Sequence, residues 1–445
     1  MIATSRPLQE QLFELWPVRL ILAVVFLCRG WLRLRRRQLY RGLGDLCWVL
    51  RVSRIPTLQR LARREIFARI PDLRRRPSPL VESYLADPAS TDCASLYALT
   101  GKGSHDLFRD VIVLKKATVD EKGVILLKYA RTFDAVVAMF DLDRLMEQYR
   151  FVLEPCWAGY ADPSLLMYLT ANQPVFVQCF TEEDFTFVRD VGEPFVPLRL
   201  GPADWVDADV FAPVEGVGKD YDLVMVANWA PHKRHAQLFR ALRDIHDVDV
   251  RVLLIGFPWG GRTAEDIRRE AASIGNPRVH VDVIESVPPG DVAKHVSRCK
   301  AFVFLSRKEG DNKALVEALF TDVPAIVYAN TIGGAGSRIN QSTGMFATDA
   351  ELPATIRFML SHYADFTPRA WVKAHSGSAV ATSVLNDAIK RAVIAQGGRF
   401  GEGLVEKTNA PNLTYKDPRA RLKFQADYEF ILSCRRGAPI RSAVA

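Results

Sequence analysis

Between Phe302 and Phe320 the apolar run Phe302-Val303-Phe304-Leu305 gives way to Ser306-Arg307-Lys308-Glu309-Gly310-Asp311-Asn312 and then to Lys313-Ala314-Leu315-Val316-Glu317-Ala318-Leu319-Phe320. This reads as a buried strand, a polar loop and a short helix capped by Asp311 or Asn312. Glu309 then stands at the C-terminal end of a strand beside the positive end of a helix, where ligands bind in doubly wound sheets. On a helical wheel Ala314, Leu315, Val316, Ala318, Leu319 and Phe320 cover almost the whole circumference, interrupted by Lys313 and Glu317. A helix apolar nearly all round is buried, and a carboxylate within it is costly unless a partner or a ligand satisfies it. Glu317 is therefore a candidate binding group. Its structural alternatives are a carboxylate that reaches the surface or one that pairs with Lys313. For Glu309 the alternative is a plain surface-loop residue.

These residues resemble the family 4 (group 1) retaining glycosyltransferases of the GT-B fold. That family carries Ser-x-x-Glu-Gly, a second Glu eight positions after the first, then Glu-Ala and a Pro ending the turn, and Ser306, Glu309, Gly310, Glu317, Ala318 and Pro324 fall at those places. The stretch Val224 to Lys233 resembles the first strand and loop of the family's C-terminal domain, where a Gly-Arg pair precedes a Lys that holds the donor diphosphate. Lys233 matches, and Ala227 and Asn228 stand where the family has Gly and Arg. Gly333-Gly334, followed by Thr343-Gly344-Met345, resembles the glycine loop and Thr-Gly-Leu segment that come next. The family's N-terminal-domain histidine has no counterpart in the strand-like Val175 to Phe180.

The resemblance implies transfer of a hexose from a UDP- or GDP-sugar to a glycan or lipid-linked acceptor, with retention of configuration, in polysaccharide biosynthesis. It implies no cofactor and no metal. Lys233 as a point charge, and N–H groups around Gly310, Asp311 and Asn312 as fixed dipoles, would stabilise the departing diphosphate. Glu309 would bind donor-sugar hydroxyls and Glu317 the ribose hydroxyls. Ser306, Asn228, Gly333 and Gly334 would complete the donor site, with Gly256 and Glu285 at the strand ends where such enzymes place the base. A catalytically inactive protein that binds a nucleotide sugar is the alternative reading.

The elements that must position these residues follow from the rest of the chain. At 445 residues it exceeds what one core supports, and 49% apolar with 25% charged residues exclude a disordered or fibrous chain. Strands are expected at Asp110 to Leu114, Arg150 to Leu153, Pro174 to Cys179, Leu223 to Ala227, Val250 to Gly256, Val279 to Val283, Ala301 to Leu305 and Ala325 to Val327. Helices are expected at His235 to Ile245 and Ala264 to Ser273, and Val124 to Tyr129 reads as a run extending into a helix. Alternation of this kind predicts an α/β chain with two Rossmann-like doubly wound domains facing a cleft, the GT-B arrangement. The expected boundaries are a basic helical extension at 1–79, an acceptor domain at 80–212, a nucleotide-sugar domain at 213–390 and a tail at 391–445. Leu73 to Pro79 reads as the first linker and the Pro/Gly-rich Pro194 to Gly218 as the hinge.

Other apparent signals fail. Gly101-Lys102-Gly103-Ser104 lacks the first Gly and the final Ser or Thr of a phosphate loop, and Gly256 to Gly261 lacks dinucleotide-binding spacing and reads as a turn. Seven scattered cysteines form no zinc pattern and suit a reducing cytoplasm. Charge is uneven: residues 1–80 hold seventeen Arg and no Lys against Glu10, Glu14, Asp45, Glu65 and Asp72, a net +12, so the other 365 residues carry −4 of the overall +8. Within that segment Leu20 to Cys28 is an apolar run of nine residues bracketed by Arg19 and Arg29, too short to span a bilayer. A helix lying on an anionic membrane, on the cytoplasmic side, is the expectation, with a solvated basic helix packed on the body as the alternative. Nucleic-acid association ranks last, because few aromatics accompany the arginines, and no nucleic-acid partner is expected.

Overall fold

Strands buried on both faces of a parallel sheet read as unbroken apolar runs, and most of the predicted runs are strands here. The computed structural model describes residues 15–76, 78–87, 107–155, 160–410 and 412–436. The Gly101 to Ser104 run lies outside them. By internal contacts the chain divides into two units. One takes the chain up to Leu200 with Thr382–Lys407 and Leu413 onward, and the other takes Gly201–Ala381 with Thr408–Asn412.

Among the described residues the first unit opens on five helices, α1 (Trp16–Arg35), α2 (Leu39–Val52), α3 (Pro56–Phe67), α4 (Ile70–Arg75) and α5 (Ser78–Leu85). Its sheet consists of β1 (Val111–Lys115), β2 (Gly123–Lys128), β3 (Tyr149–Glu154), β4 (Val175–Gln178) and β5 (Phe195–Leu198), hydrogen-bonded in that order. β1 runs antiparallel to β2 and the other pairs are parallel. Helices α6 (Ala130–Met139), α7 (Leu142–Gln148), α8 (Pro163–Leu166) and α9 (Glu182–Val191) join these strands. Val124 to Tyr129 is a correction: it lies in β2, and Tyr129 at φ 72° ends the strand before α6 begins. Pro194 to Gly218 is another, since it opens with β5, which completes this sheet before the chain enters the second unit.

The boundaries at 79 and 390 also differ from expectation. Leu73 to Arg75 complete α4, and Ser78 and Pro79 already belong to α5. Side chains tie the N-terminal helices to the rest of their unit: Arg51 pairs with Asp162 at 2.9 Å, Tyr40 Oη donates to Asp134 at 2.7 Å, and Arg74 donates to the Val191 carbonyl at 2.7 Å. The C-terminal stretch is similarly bound, with Tyr415 Oη donating to the Val113 carbonyl at 2.7 Å. Lys407 forms an ion pair at 2.9 Å with Glu154, both side chains fully buried.

The second unit holds one parallel sheet of β6 (Tyr221–Val226), β7 (Val250–Gly256), β8 (Val279–Glu285), β9 (Cys299–Phe304), β10 (Ala325–Tyr328) and β11 (Gly344–Ala347), in the order β11-β10-β9-β6-β7-β8. The connecting helices are α10 (His235–Arg243), α11 (Ala264–Ala272), α12 (Pro289–Ser297), α13 (Lys313–Phe320), α14 (Leu352–His362) and α15 (Pro368–His375); α16 (Ser378–Ala395) leads back to the first unit. One sheet face packs Leu223, Met225, Leu254 and Val303 under α10 and α14, and the other packs Val224, Leu253, Phe302 and Phe304 against α12 and α13. Helix α13 is apolar nearly all round because it is enclosed by the sheet, α14's neighbour α15 and the turn at Pro202–Trp205. Both units are therefore α/β with mainly parallel sheets, as the alternation predicted, and the second has the strand-order reversal of a doubly wound sheet.

If the C-terminal return is integral to the first unit, Lys407→Ala, which removes the fully buried cation paired with Glu154, lowers stability by about 3–5 kcal/mol. Urea denaturation measures it, and a loss under about 1 kcal/mol contradicts the assignment.

Candidate functional site

In the second unit the strand order reverses between β6 and β9, so their C-terminal loops diverge and open a crevice, the usual ligand position in such sheets. Lys233 follows β6 and Glu309 follows β9. After β6 the chain makes a single turn at Pro231–Lys233 and then Arg234 takes a left-handed conformation at φ 65° to enter α10. The Arg234 side chain fixes that turn. It is buried, donates to the Leu305 carbonyl at 3.2 Å and to Asp349 at 2.6 Å, and lies 4.3 Å over the Tyr328 ring. One end of β9 is thus bound to the loop that carries Lys233.

The loop after β9 is held from below. Glu309 N donates to the Ile332 carbonyl at 3.0 Å, Ile332 N to the Arg307 carbonyl at 2.7 Å, and Gly334 N to the Gly310 carbonyl at 2.8 Å. Gly333 has φ 128°, and a Cβ there would lie 2.0 Å from the Glu309 carbonyl oxygen; one on Gly334 would lie 2.4 Å from Asp311 Oδ1. At Gly333 the close approach is to backbone and the φ is left-handed, so only glycine fits; at Gly334 the space is taken by the buried Asp311 carboxylate.

Glu309 gathers three donors. Lys233 Nζ and Ser306 Oγ, the latter at 2.5 Å, donate to its Oε1, and Asn312 Nδ2 donates to Oε2 at 2.6 Å. Burial alone would raise this carboxyl, but the Lys233 charge together with the hydrogen bonds from Lys233, Ser306 and Asn312 holds it below the ordinary carboxylate value. Asn312 also caps α13, accepting from Leu315 N at 2.8 Å. The loop, the helix start and the carboxylate are therefore one hydrogen-bonded unit.

Glu317, one turn into α13, is half-buried, and no hydrogen bond or ion pair reaches its carboxylate among the described residues. Lys313 instead donates to the Asn409 carbonyl at 2.9 Å. Burial pushes the Glu317 carboxyl up to about 7, with Lys313 opposing the shift. A carboxyl kept in this environment without a partner fits a group reserved for a ligand.

The remaining predicted residues divide. Asn228 Oδ1 accepts from Ala230 N at 3.2 Å and shapes the turn before Lys233. Asp311 does not offer its side chain to the crevice: its carboxylate is buried, accepting from Arg338 at 3.1 Å and from Ala203 N at 2.9 Å, in a network that also pairs Arg338 with Asp204 at 2.6 Å. Glu285 is taken too, since its Oε2 accepts from Trp229 Nε1 and from Ala264 N at the start of α11, each at 2.8 Å. Gly256 lies against the same buried Trp229, whose ring would be 2.6 Å from a Cβ there. Gly256 to Gly261 is a turn as read, with Trp259 and Arg262 exchanging backbone hydrogen bonds. Arg234 and Arg338 escaped the sequence reading. Only the basic run from His232 to His235 pointed toward Arg234, and nothing local marked Arg338.

Residues 209–360 match the family model described as glycosyl transferases group 1. The matched segment lies within the second unit and contains Lys233, Glu309 and Glu317. No curated protein sequence matches the chain. Among solved structures it is similar to sucrose-phosphate synthase from Thermosynechococcus elongatus, at 17% identity over 61% of this chain and 74% of that one, TM-score 0.47. It is also similar to HepE from Anabaena in complex with UDP-glucose, at 14% identity over 60% and 78%, TM-score 0.44. TarM from S. aureus is similar at 12% identity over 55% of this chain and 51% of its own length, TM-score 0.42.

The raised Glu317 carboxyl has a thermodynamic signature. Between the ordinary value of 4.5 and about 7 the folded protein retains a proton that the unfolded chain has lost, so stability falls as pH rises through that window. Glu317→Gln removes the titration. The stability of the variant relative to wild type therefore increases from pH 4 to pH 8 by about 1–3 kcal/mol. Melting temperatures across that range measure it, and a difference independent of pH would contradict the burial of an unpartnered carboxyl.

Proposed function

We propose that this protein is a glycosyltransferase that moves a hexose from a UDP- or GDP-sugar to a glycan or lipid-linked acceptor with retention of configuration. The observation that carries the reading is the Lys233–Glu309 pair at the β6/β9 crevice with the unpartnered Glu317 one turn into α13. Breaking the bond between sugar and diphosphate leaves negative charge on the departing oxygen. Lys233 opposes that charge, and the N–H groups at the start of α13 add fixed dipoles that need no reorganisation. These groups supply the electrostatic stabilisation that a divalent ion gives elsewhere, so no metal is required. When the diphosphate engages the Lys233 ammonium, Glu309 is freed to accept hydrogen bonds from donor-sugar hydroxyls. Glu317, once ionised, accepts from the ribose diol. Retention, and polysaccharide biosynthesis as the setting, rest on the family resemblance and not on a measured distance. The same reading makes the enzyme cytoplasmic and peripheral on an anionic membrane, near a lipid-linked acceptor.

Turnover of a panel of UDP- and GDP-sugars tests the proposal. Wild type releases nucleoside diphosphate from at least one donor, and EDTA changes that rate by less than about twofold. Lys233→Ala lowers kcat/KM by about a hundredfold, through both binding and rate, because the charge it opposes grows as the bond breaks. Binding of a donor without any release, by hydrolysis or transfer, would make the protein an inactive binder. Complete loss of turnover in EDTA, restored by Mg²⁺ or Mn²⁺, would overturn the metal-independent mechanism.

A further inference from the structure

Helix α1 carries apolar residues on two opposite faces. Ala23, Leu27 and Gly30 are buried. There α1 approaches α2 closely: a Cβ on Gly30 would lie 3.1 Å from Leu46 Cδ2, and one on Gly42 would lie 2.8 Å from the Leu34 side chain. Arg29 and Arg33 secure the crossing on Asp45 at 2.6 and 2.9 Å. The other face bears Ile21, Val24, Val25, Cys28 and Leu32, at i, i+3, i+4, i+7 and i+11, all exposed; Ile21 is 61% and Leu32 48% accessible. A stripe of this period is ordinarily what a surface helix buries in its core. Here the core lies on the opposite side, so the stripe is a fixed apolar surface, the kind that marks an interaction site.

Its surroundings select the partner. Trp16, 66% exposed, stands at the start of the helix and exposed Trp31 beside the stripe, while Arg35, Arg36 and Arg37 are exposed at its end without an ion pair among the described residues. Apolar centre, indole flank and arginine end are the components of a helix lying at a bilayer surface. Charge agrees, because the net +12 of residues 1–80 contrasts with −4 in the remainder of the chain. Among the described residues no helix is long and apolar enough to cross a membrane.

We propose that the outer face of α1 docks on an anionic lipid bilayer, with Ile21, Val25 and Leu32 at the acyl boundary and Arg35, Arg36 and Arg37 on the headgroups. The proposal deepens the peripheral-membrane reading above but is independent of the donor site, because it is measured without any sugar nucleotide.

The full chain is floated with phosphatidylcholine vesicles containing about a third phosphatidylserine, and with pure phosphatidylcholine. It co-floats with the anionic vesicles, and less so as salt is raised. The double variant Ile21→Asp, Leu32→Asp changes only exposed positions, so it keeps the wild-type melting temperature and loses at least about tenfold in vesicle partitioning. The triple variant Arg35→Glu, Arg36→Glu, Arg37→Glu loses on the order of a hundredfold on anionic vesicles. Failure of the wild type to float, or flotation of the folded double variant at the wild-type level, overturns the proposal. So does a concentration-dependent dimer in light scattering that the double variant dissolves, since a second copy would then be the occupant.

Discussion

An ion pair at the diverging ends of two parallel strands organises the second unit. Lys233 and Glu309 are 76 residues apart in the chain and meet because β6 and β9 are neighbours where the strand order reverses. Bringing a carboxylate into partial burial is unfavourable unless its oxygens are satisfied. Ser306, Asn312 and Lys233 do so between them, and Asn312 carries the same arrangement into α13 through its cap. The pair is therefore a structural fixture and, in the proposed reaction, the group a diphosphate would open.

Rigidity around the pair comes from backbone contacts and buried cations. Gly333 and Gly334 let the segment after β10 press against the Glu309 loop, Arg234 binds the Lys233 turn to the end of β9, and Arg338 locks Asp311 to the turn at Pro202–Trp205. Against this rigid background Glu317 stands out. Its neighbours are apolar, its lysine one turn earlier is occupied elsewhere, and its carboxyl is held near neutrality by burial. Two acidic groups with displaced titrations in opposite directions, a few residues apart, describe a binding site better than a core.

Much of this was legible in the sequence for a physical reason. Strands such as Ala325 to Tyr328 are buried on both faces and so read as continuous apolar runs, and the Glu309/Glu317 spacing joins a loop to one turn of helix through local geometry alone. What was not legible depended on distant partners. β5 contains Pro197 and lies in a stretch rich in turn residues, yet it pairs with β4 at the sheet edge. The N-terminal helices look like a detachable basic extension until Arg51 is seen on Asp162, and the tail until Lys407 is seen on Glu154. Asp311 and Glu285 stand in motif-like positions, but residues 27 and 56 positions away claim their carboxylates. Spacing places a side chain at a strand end, and long-range partners decide whether it faces a ligand.

The central claim is that Glu317 is a ligand-binding carboxylate that acts when ionised. The direct measurement is calorimetric titration of UDP and of GDP into wild type and Glu317→Gln at pH 6 and pH 8. With the carboxyl titrating at about 7, wild-type affinity for the bound nucleotide rises by up to about tenfold between the two pH values. The Gln variant binds more weakly at pH 8 and lacks that rise. Equal affinity of the two proteins at both pH values, or no binding of either nucleotide by wild type, would contradict the account.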